Sequence, residues 1–319
     1  MQKKTPDRYI DLLTDYGFKR VFGTEVNKDL LIDFLNQLFR GRKVIKDLTY
    51  TKNEHVGDTT ETGSVIFDLT CTADNDEHFI IEVQRSMQSN LKRRMLYYGS
   101  KLIADQAPKG NRKDWNYSIS EVYVIVLMEG FALPGHETDK RYLHDICLCN
   151  RATGEVFYED LGFIYISLTN FVKEDDDLQN DLEKWFYVLK NMARMDKLPV
   201  YLRKPVFQRL FDIAEYSKLS KEEKDMYDAS LKRKWDAESL RQTAIIERER
   251  ALWEGRQEGR AEGREEGRAE GLELGLAKAK AEKNETARKM LASGFALPVI
   301  SDLLGLSIKE IEALKSDEK

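Results

Sequence analysis

Two short apolar runs, each alternating with polar residues, lie close together between Ser64 and Gln84. Both runs are rich in β-branched and aromatic residues, and the turn-forming sequence ADND at 73–76 separates them. This pattern predicts a β-hairpin. Because side chains alternate between the two faces of a strand, one face of the hairpin would be apolar and the polar side chains would share the other.

The polar face of this predicted hairpin carries two carboxylates. Pairing of Ala73 with Glu77 around a three-residue loop would place Asp68 directly opposite Glu82, with Cβ atoms about 4.5–5.5 Å apart. Two carboxylates at that distance repel each other unless a cation lies between them, and hard divalent ions take oxygen ligands of this kind. The hairpin therefore predicts a metal site, with Gln84 on the face of Glu82. The ordinary alternative is an exposed polar sheet face.

The hairpin is one of several motifs that follow one another in a fixed order. These are DYGFKRVFG at 15–23, FDLTC and FIIEVQ within 67–84, RMLYY at 94–98, QAPKG at 106–110, and Trp115. Together they resemble the PD-(D/E)XK nuclease family transposases and, within them, the recombination-promoting nuclease (Rpn) group. A single D…E-x-Q pattern is weak, whereas several separated motifs in the same order are specific.

The resemblance implies an α/β, restriction-endonuclease-like (PD-(D/E)XK) core and a metal-dependent DNA endonuclease. In such an enzyme Asp68 and Glu82 would hold Mg²⁺ or Mn²⁺, with the backbone carbonyl of Val83 as a third oxygen. Gln84 stands where the wider superfamily has lysine, although E-x-Q is usual in this group. An amide cannot replace a charged lysine, but it can orient the attacking water by hydrogen bonding.

Further site residues follow from the other motifs. Asp15 belongs to the first motif, and its ordinary alternative is an i,i+4 ion pair with Lys19. Arg94 or Lys101, on a helix predicted over 89–109, would supply the positive charge that lysine usually provides; for Lys101 a solvated helix face is the competing interpretation. A basic rim around Asp68 would favour an enzyme. Its members would be Lys19, Arg85, Arg94 and Lys101.

Composition narrows the class of protein only modestly. The net charge of −5 and pI near 5.7 do not indicate a nucleic-acid binder, since phosphate contacts need clustered Lys and Arg. No apolar run of 18 residues is present, and the first ten residues lack the apolar stretch of a signal peptide. We therefore expect a cytoplasmic protein with no membrane span.

The three cysteines raise the question of a zinc site. Cys147 and Cys149 follow His136 and His144, but the C-x-C spacing is not that of a zinc site. The surrounding sequence alternates like a strand, and an odd cysteine count in a long chain argues against a disulfide framework. The thiols are therefore predicted to be small buried hydrophobes rather than ligands.

The order of secondary-structure signals predicts four regions. Helical patterns, the hairpin, a continuous apolar run at 121–128 and a second hairpin predict a nuclease-like α/β domain over 1–173. A helical region that packs on this core is expected over 174–235. A long charged helix follows over 236–283, and a helix-turn-helix-like tail occupies 284–319. Because acidic residues are as common as lysine in the tail, packing is favoured over DNA reading there.

A glycine repeat sets the long helix apart. The glycines recur every four residues at 255, 259, 263, 267, 271 and 275. Six glycines inside a helix cost about 5 kcal/mol relative to alanine. Glu precedes the first five and Arg follows the first four, so a parallel pair of helices would bring Glu against Arg. This pattern predicts a homodimer through residues 250–280; the alternative is a solvated charged helix.

Two other classes of function stay open at this stage. One is a catalytically weak nuclease fold that binds DNA or regulates a partner. The other is a dimeric coiled-coil interaction protein in which the sheet domain is a scaffold. Metal binding and a basic rim around Asp68 would distinguish the enzyme from both.

Overall fold

The computed structural model describes residues 7–51, 54–55, 65–66, 68–108 and 115–316. The chain forms two compact units, residues 1–241 and 242–319, and each is described by itself below. Ser64 and Phe67 of the predicted hairpin, and Lys109 and Gly110 of the QAPKG motif, lie outside the described residues.

A six-stranded mixed sheet lies at the centre of the first unit. The strands of the chain are β1 (Leu48–Tyr50), β2 (Glu54–His55), β3 (Val65–Ile66), β4 (Leu69–Ala73), β5 (His78–Gln84), β6 (Val122–Met128), β7 (Leu143–Cys149) and β8 (Val156–Ser167). The order across the sheet is β1-β4-β5-β6-β8-β7, and β2 and β3 form a separate two-stranded ribbon. Strands β5, β6 and β8 are parallel, while their neighbours are antiparallel.

Helices account for most of the remaining chain. The α-helices are α1 (Asp15–Phe22), α2 (Lys28–Leu38), α3 (Leu91–Asp105), α4 (Asp181–Asn191), α5 (Pro205–Ala214), α6 (Lys221–Ala292), α7 (Leu297–Leu304) and α8 (Ile308–Ser316). Short 3₁₀ turns are Glu25–Asn27, Asp175–Asp177, Met192–Arg194, Val200–Leu202 and Tyr216–Lys218. In the described parts of the chain no helix has the length and apolarity that a membrane span requires. The α/β fold class predicted from the sequence is confirmed.

The β4–β5 hairpin has the predicted register. The backbone N–H of Ala73 donates to the carbonyl of Glu77 at 2.8 Å, which closes a three-residue loop. Asp76 in this loop has φ 64°, in the left-handed region that aspartate tolerates better than most residues. Extended by one residue before the start of β4, the same register places Asp68 opposite Glu82.

The sheet separates two apolar cores. Side chains of β5 alternate, so Phe79 and Ile81 pack with α1, α2, α4 and α5, whereas Ile80 packs with Met95 of α3 on the other face. All of β6 is buried, as expected for a central strand between parallel neighbours. Because a helix covers each face near the end of β5, residues there are removed from water.

Strand β7 corrects one prediction. Cys71 on β4 is buried, but Cys147 and Cys149 are exposed, so the prediction of buried thiols is wrong for these two. β7 lies at the edge of the sheet, and its pairing with β8 shifts register after Cys147. The start of β8, opposite this irregular end, is exposed as well. Alternation in the sequence therefore predicted the strand correctly but not its place at the edge.

The second unit contains the part of α6 from residue 242 onward, together with α7 and α8. A small core joins them through Ala287, Ile300 and Ile311. Ser307 and Glu310 form a capping box, in which Ser307 Oγ accepts from the N–H of Glu310 at 3.3 Å. The glycine repeat lies within α6, so the predicted long helix is confirmed.

Candidate active site

Two carboxylates meet where β5 ends and β4 begins. The backbone N–H of Asp68 donates to Oε1 of Glu82 at 3.1 Å, and the N–H of Val83 donates to Oδ2 of Asp68 at 2.8 Å. Each carboxylate thus contacts the backbone of the other's segment. These reciprocal backbone-to-carboxylate bonds lie one residue before the start of β4 and hold both acids in place.

Gln84 is fixed against the same pair. Its Nε2 donates to Oε2 of Glu82 at 3.0 Å, so Glu82 accepts one hydrogen bond on each oxygen. Glu82 is 3% exposed and Gln84 8%, which the alternation of β5 and the covering helix α3 explain. The amide is therefore oriented by a carboxylate rather than by solvent.

The two acids are difficult to ionise together. Burial raises the pKa of Glu82 to about 8, and the negative charge of Asp68 contributes to this rise. Burial also raises the pKa of Asp68, against the lowering effects of the Val83 N–H and of nearby Lys19 and Arg85. Burial therefore favours the protonated form of each acid in the metal-free protein.

Such a donor set suits a divalent cation. Each ionised carboxylate offers about four lone-pair positions, and the hydrogen bonds to Glu82 use only part of them. Mg²⁺ and Mn²⁺ favour oxygen ligands of this type. Among the described residues no cluster of three or more His, Cys, Asp or Glu could hold a metal.

Helix α1 brings Asp15 close to this pair. Thr14 caps the helix by accepting a hydrogen bond from the N–H of Gly17 at 3.0 Å, which places Asp15 in the first turn. Asp15 forms the i,i+4 ion pair with Lys19, at 2.8 Å, that was its ordinary alternative. It also lines a small cavity of about 40 Å³ beside Asp68. The other lining residues are Leu13, Phe18, Val83 and Arg85.

Helix α3 brings Arg94 to the opposite member of the pair. Arg94 lowers the pKa of Glu82 against the dominant effect of burial, and its guanidinium lies 5.7 Å from the ring centre of Tyr98. Nη1 of Arg94 donates to Oε1 of Gln88 at 2.5 Å, and its buried Nε has no partner among the described residues. The structure thus places a positive charge near Glu82.

Comparison with models of known protein families identifies the family of this chain. The family model described as PD-(D/E)XK nuclease family transposase matches residues 12–244, which include all of the residues described above. The chain belongs to this family. No curated protein and no solved structure gives a significant match. Membership in the PD-(D/E)XK nuclease family indicates a nuclease-type function with DNA as the class of substrate, and the families of such nucleases generally use divalent metals.

Lys101, one of the two cations that the sequence of this PD-(D/E)XK protein suggested for the site, takes part in an ion pair within its own helix. Lys101 forms an i,i+4 ion pair with Asp105 at 2.9 Å, in the last turns of α3. Arg94, in contrast, acts electrostatically on Glu82. Of the two candidates on α3, Arg94 is therefore the one that the structure brings to the carboxylates.

Sequence analysis missed a group of charged residues beside the site. The N–H of Glu129, directly after β6, donates to the carbonyl of Gln84 at 2.9 Å. Lys234 of α6 donates to both Glu129 and Asp11 at 2.6 Å. More than 100 residues separate Lys234 from either partner, so no local pattern signals the contact. The family match, which extends to residue 244, includes this part of α6.

Proposed function

We propose that this protein is a metal-dependent DNA endonuclease that hydrolyses phosphodiester bonds. The observation that carries the proposal is the pair formed by half-buried Asp68 and buried Glu82, each hydrogen-bonded to the other's backbone segment. Burial raises the pKa of both acids, a cost that a bound cation would offset, and family membership supplies the class of reaction. A merely structural polar face would be exposed, whereas Glu82 is buried.

In this proposal Asp68, Glu82 and the carbonyl of Val83 hold Mg²⁺ or Mn²⁺. Bound there, the ion would polarise the scissile phosphate and lower the pKa of a water molecule. Gln84 donates its N–H to Glu82, so its amide oxygen remains to accept a hydrogen bond from the attacking water and orient it. Arg94 would stabilise negative charge on the phosphate, as a preorganised cation does in a site that excludes water.

The overall chemistry is a simple displacement at phosphorus. The water oxygen forms a bond to phosphorus and its proton passes to solvent, while the bond from phosphorus to one sugar oxygen breaks and that oxygen takes a proton from solvent. The products are one strand end with a phosphate monoester and one with a hydroxyl. Asp15, on α1 beside Asp68, would adjust the charge of the site through its pair with Lys19.

Incubation of the purified protein with supercoiled plasmid tests the proposal. We expect conversion to open-circular or linear DNA with Mg²⁺ or Mn²⁺, and none with EDTA, because the two carboxylates alone cannot stabilise a dianionic phosphate. A folded protein that binds the plasmid but leaves it intact with either ion would contradict the proposal. That result would favour the regulatory, DNA-binding alternative.

We also propose that residues 250–280 form a parallel homodimer. A Cβ added at any of the six repeat glycines would meet no atom within 4 Å, so this face of α6 is open. Three leucines near the end of the repeat, Leu272, Leu274 and Leu276, are 65–74% exposed. A second helix could approach the glycines closely and offset part of their cost to helix stability.

The dimer has a direct test in Gly263→Cys, placed in a variant whose native exposed cysteines, Cys147 and Cys149, are replaced by serine. In a parallel pair the two introduced thiols face each other, so mild oxidation should give a disulfide-linked dimer in high yield. Ala152→Cys, at an exposed position in the turn between β7 and β8, is the control and should stay monomeric under the same oxidation. Equal cross-linking of both variants would contradict the parallel arrangement.

A further inference from the structure

Arg85 directly follows β5 and lines the small cavity beside Asp68. Its Nη1 is buried and has no hydrogen-bond partner among the described residues. A guanidinium carries five N–H donors and is almost always paired when buried, so an unpartnered one needs an explanation. Here the open donor belongs to a side chain that shares its cavity with Asp68 and Asp15.

The surrounding charges do not account for Arg85 as a structural ion pair. It lies close enough to Asp68 and to Glu129 to lower the pKa of each, yet no ion pair within the described parts of the chain includes it. Glu129 is already bonded to Lys234 at 2.6 Å. Arg85 therefore lies near several carboxylates but forms no ion pair with any of them in the described parts of the chain.

Arg85 and Arg94 approach the carboxylate pair from different elements and act on different carboxylates. Arg94 reaches the site from α3, where Gln88 and the ring of Tyr98 hold its guanidinium on the side of Glu82. Arg85 comes from the end of β5 itself and acts on Asp68. The two arginines thus serve different members of the carboxylate pair.

We propose that Arg85 contacts the scissile phosphate and stabilises the negative charge that develops on its oxygens. This inference rests on the proposed nuclease function and adds a catalytic residue to it. The planar guanidinium can bind a phosphate through two parallel N–H donors, which a lysine cannot do. In this PD-(D/E)XK protein, which has Gln84 at the lysine position, Arg85 adds a positive charge beside Asp68 to the one that Arg94 supplies near Glu82.

The test compares Arg85→Gln and Arg85→Lys with the wild type, using plasmid cleavage under Mg²⁺ and calorimetric titration with Mn²⁺. For Arg85→Gln we expect kcat to fall about 10²–10³-fold, the loss typical of removing one preorganised charge-stabilising group, with KM for DNA within about threefold. Arg85→Lys should retain more, about a tenth of the wild-type kcat, because it keeps the charge but not the fork. Mn²⁺ affinity should be retained in both.

Arg151→Gln, in the exposed turn between β7 and β8, is the matched control and should cleave like the wild type. Arg85→Gln with a wild-type kcat, or with kcat and Mn²⁺ affinity lost together, overturns the role of Arg85 while leaving the nuclease proposal in place. If Arg85→Gln does not fold, a wild-type kcat for Arg85→Lys overturns the role equally. A wild-type protein that shows no metal-dependent cleavage overturns both proposals.

Discussion

Replacing Asp68 or Glu82 by alanine is expected to lower metal-dependent cleavage of DNA by about 10³-fold or more, because in the proposed enzyme each would supply half of the charged oxygen ligands. The two residues depend on each other: Glu82 accepts from the N–H of Asp68, and Asp68 accepts from the N–H of Val83. Loss of either side chain therefore removes a ligand and releases the backbone contact that positions the other. The measurement is the initial rate of plasmid nicking under saturating Mg²⁺.

Isosteric variants separate chemistry from folding in this experiment. Asp68→Asn and Glu82→Gln keep the size of the side chains but remove the charge, so they should be as inactive as the alanine variants while remaining folded. Glu159→Gln, an exposed glutamate on β8, is the matched control and should keep the wild-type rate. Undiminished cleavage by Asp68→Asn and Glu82→Gln, in protein free of other nucleases, would sink the assignment of this pair.

The hairpin could be predicted because its determinants are local. The alternation of β5, the turn residues and the requirement for a three-residue loop together fix one register, and that register brings Asp68 to Glu82. Burial of the pair was harder to predict, since it depends on α3 and α1 covering the end of the strand. Sequence alone thus predicted the pairing but left open an exposed polar face.

Other parts of the site depend on contacts between distant segments. Asp15 could be predicted as a partner of Lys19 from their i,i+4 spacing, but its place in a cavity with Asp68 follows from how α1 packs on the sheet. Lys234 reaches Glu129 from a helix that begins 92 residues after it. No periodicity in the sequence encodes a contact of that kind, because neither residue belongs to the other's local pattern.

Sequence analysis identified Arg85 only as one of four basic residues of a predicted rim, because its environment depends on tertiary packing. Its position directly after E-x-Q was visible, but its buried, unpartnered donor was not. Lys101, for which a solvated helix face was the competing interpretation, pairs with Asp105 on its own helix. Cations near a predicted site can be counted from sequence, whereas the neighbour that each one faces is set by tertiary structure.

Glu82→Gln is expected to make the metal-free protein more stable at pH 8, although it removes activity. Burial raises the pKa of Glu82 to about 8 in the folded state, against about 4.3 for an unfolded glutamate. Between these values the folded state binds more protons than the unfolded state, so the free energy of unfolding falls as pH rises. The contribution of Glu82 is complete below pH 4.3 and is lost as pH passes through about 8.

Glutamine has no such titration, so the wild type and Glu82→Gln should differ little at pH 5 and most at pH 8. One pKa unit corresponds to about 1.4 kcal/mol, and we expect a gain of roughly 2–4 kcal/mol at pH 8 in EDTA. Gln84 can turn its amide to accept from the new N–H group, so the substitution leaves no buried donor unpaired. Urea unfolding at the two pH values measures the difference.

Metal provides the decisive comparison for this stability effect. Mn²⁺ should raise the urea midpoint of the wild type at pH 8, because in the proposed site it would bind the two carboxylates of the folded state, and should leave Glu82→Gln nearly unchanged. Glu159→Gln, with an exposed side chain, should follow the wild type at both pH values and respond to Mn²⁺ in the same way. If the wild type and Glu82→Gln instead lose stability in parallel from pH 5 to pH 8, then the pKa of Glu82 is not raised in the folded protein. Destabilisation in that case would arise elsewhere in the chain, and the reason for placing a divalent ion between Asp68 and Glu82 would be lost.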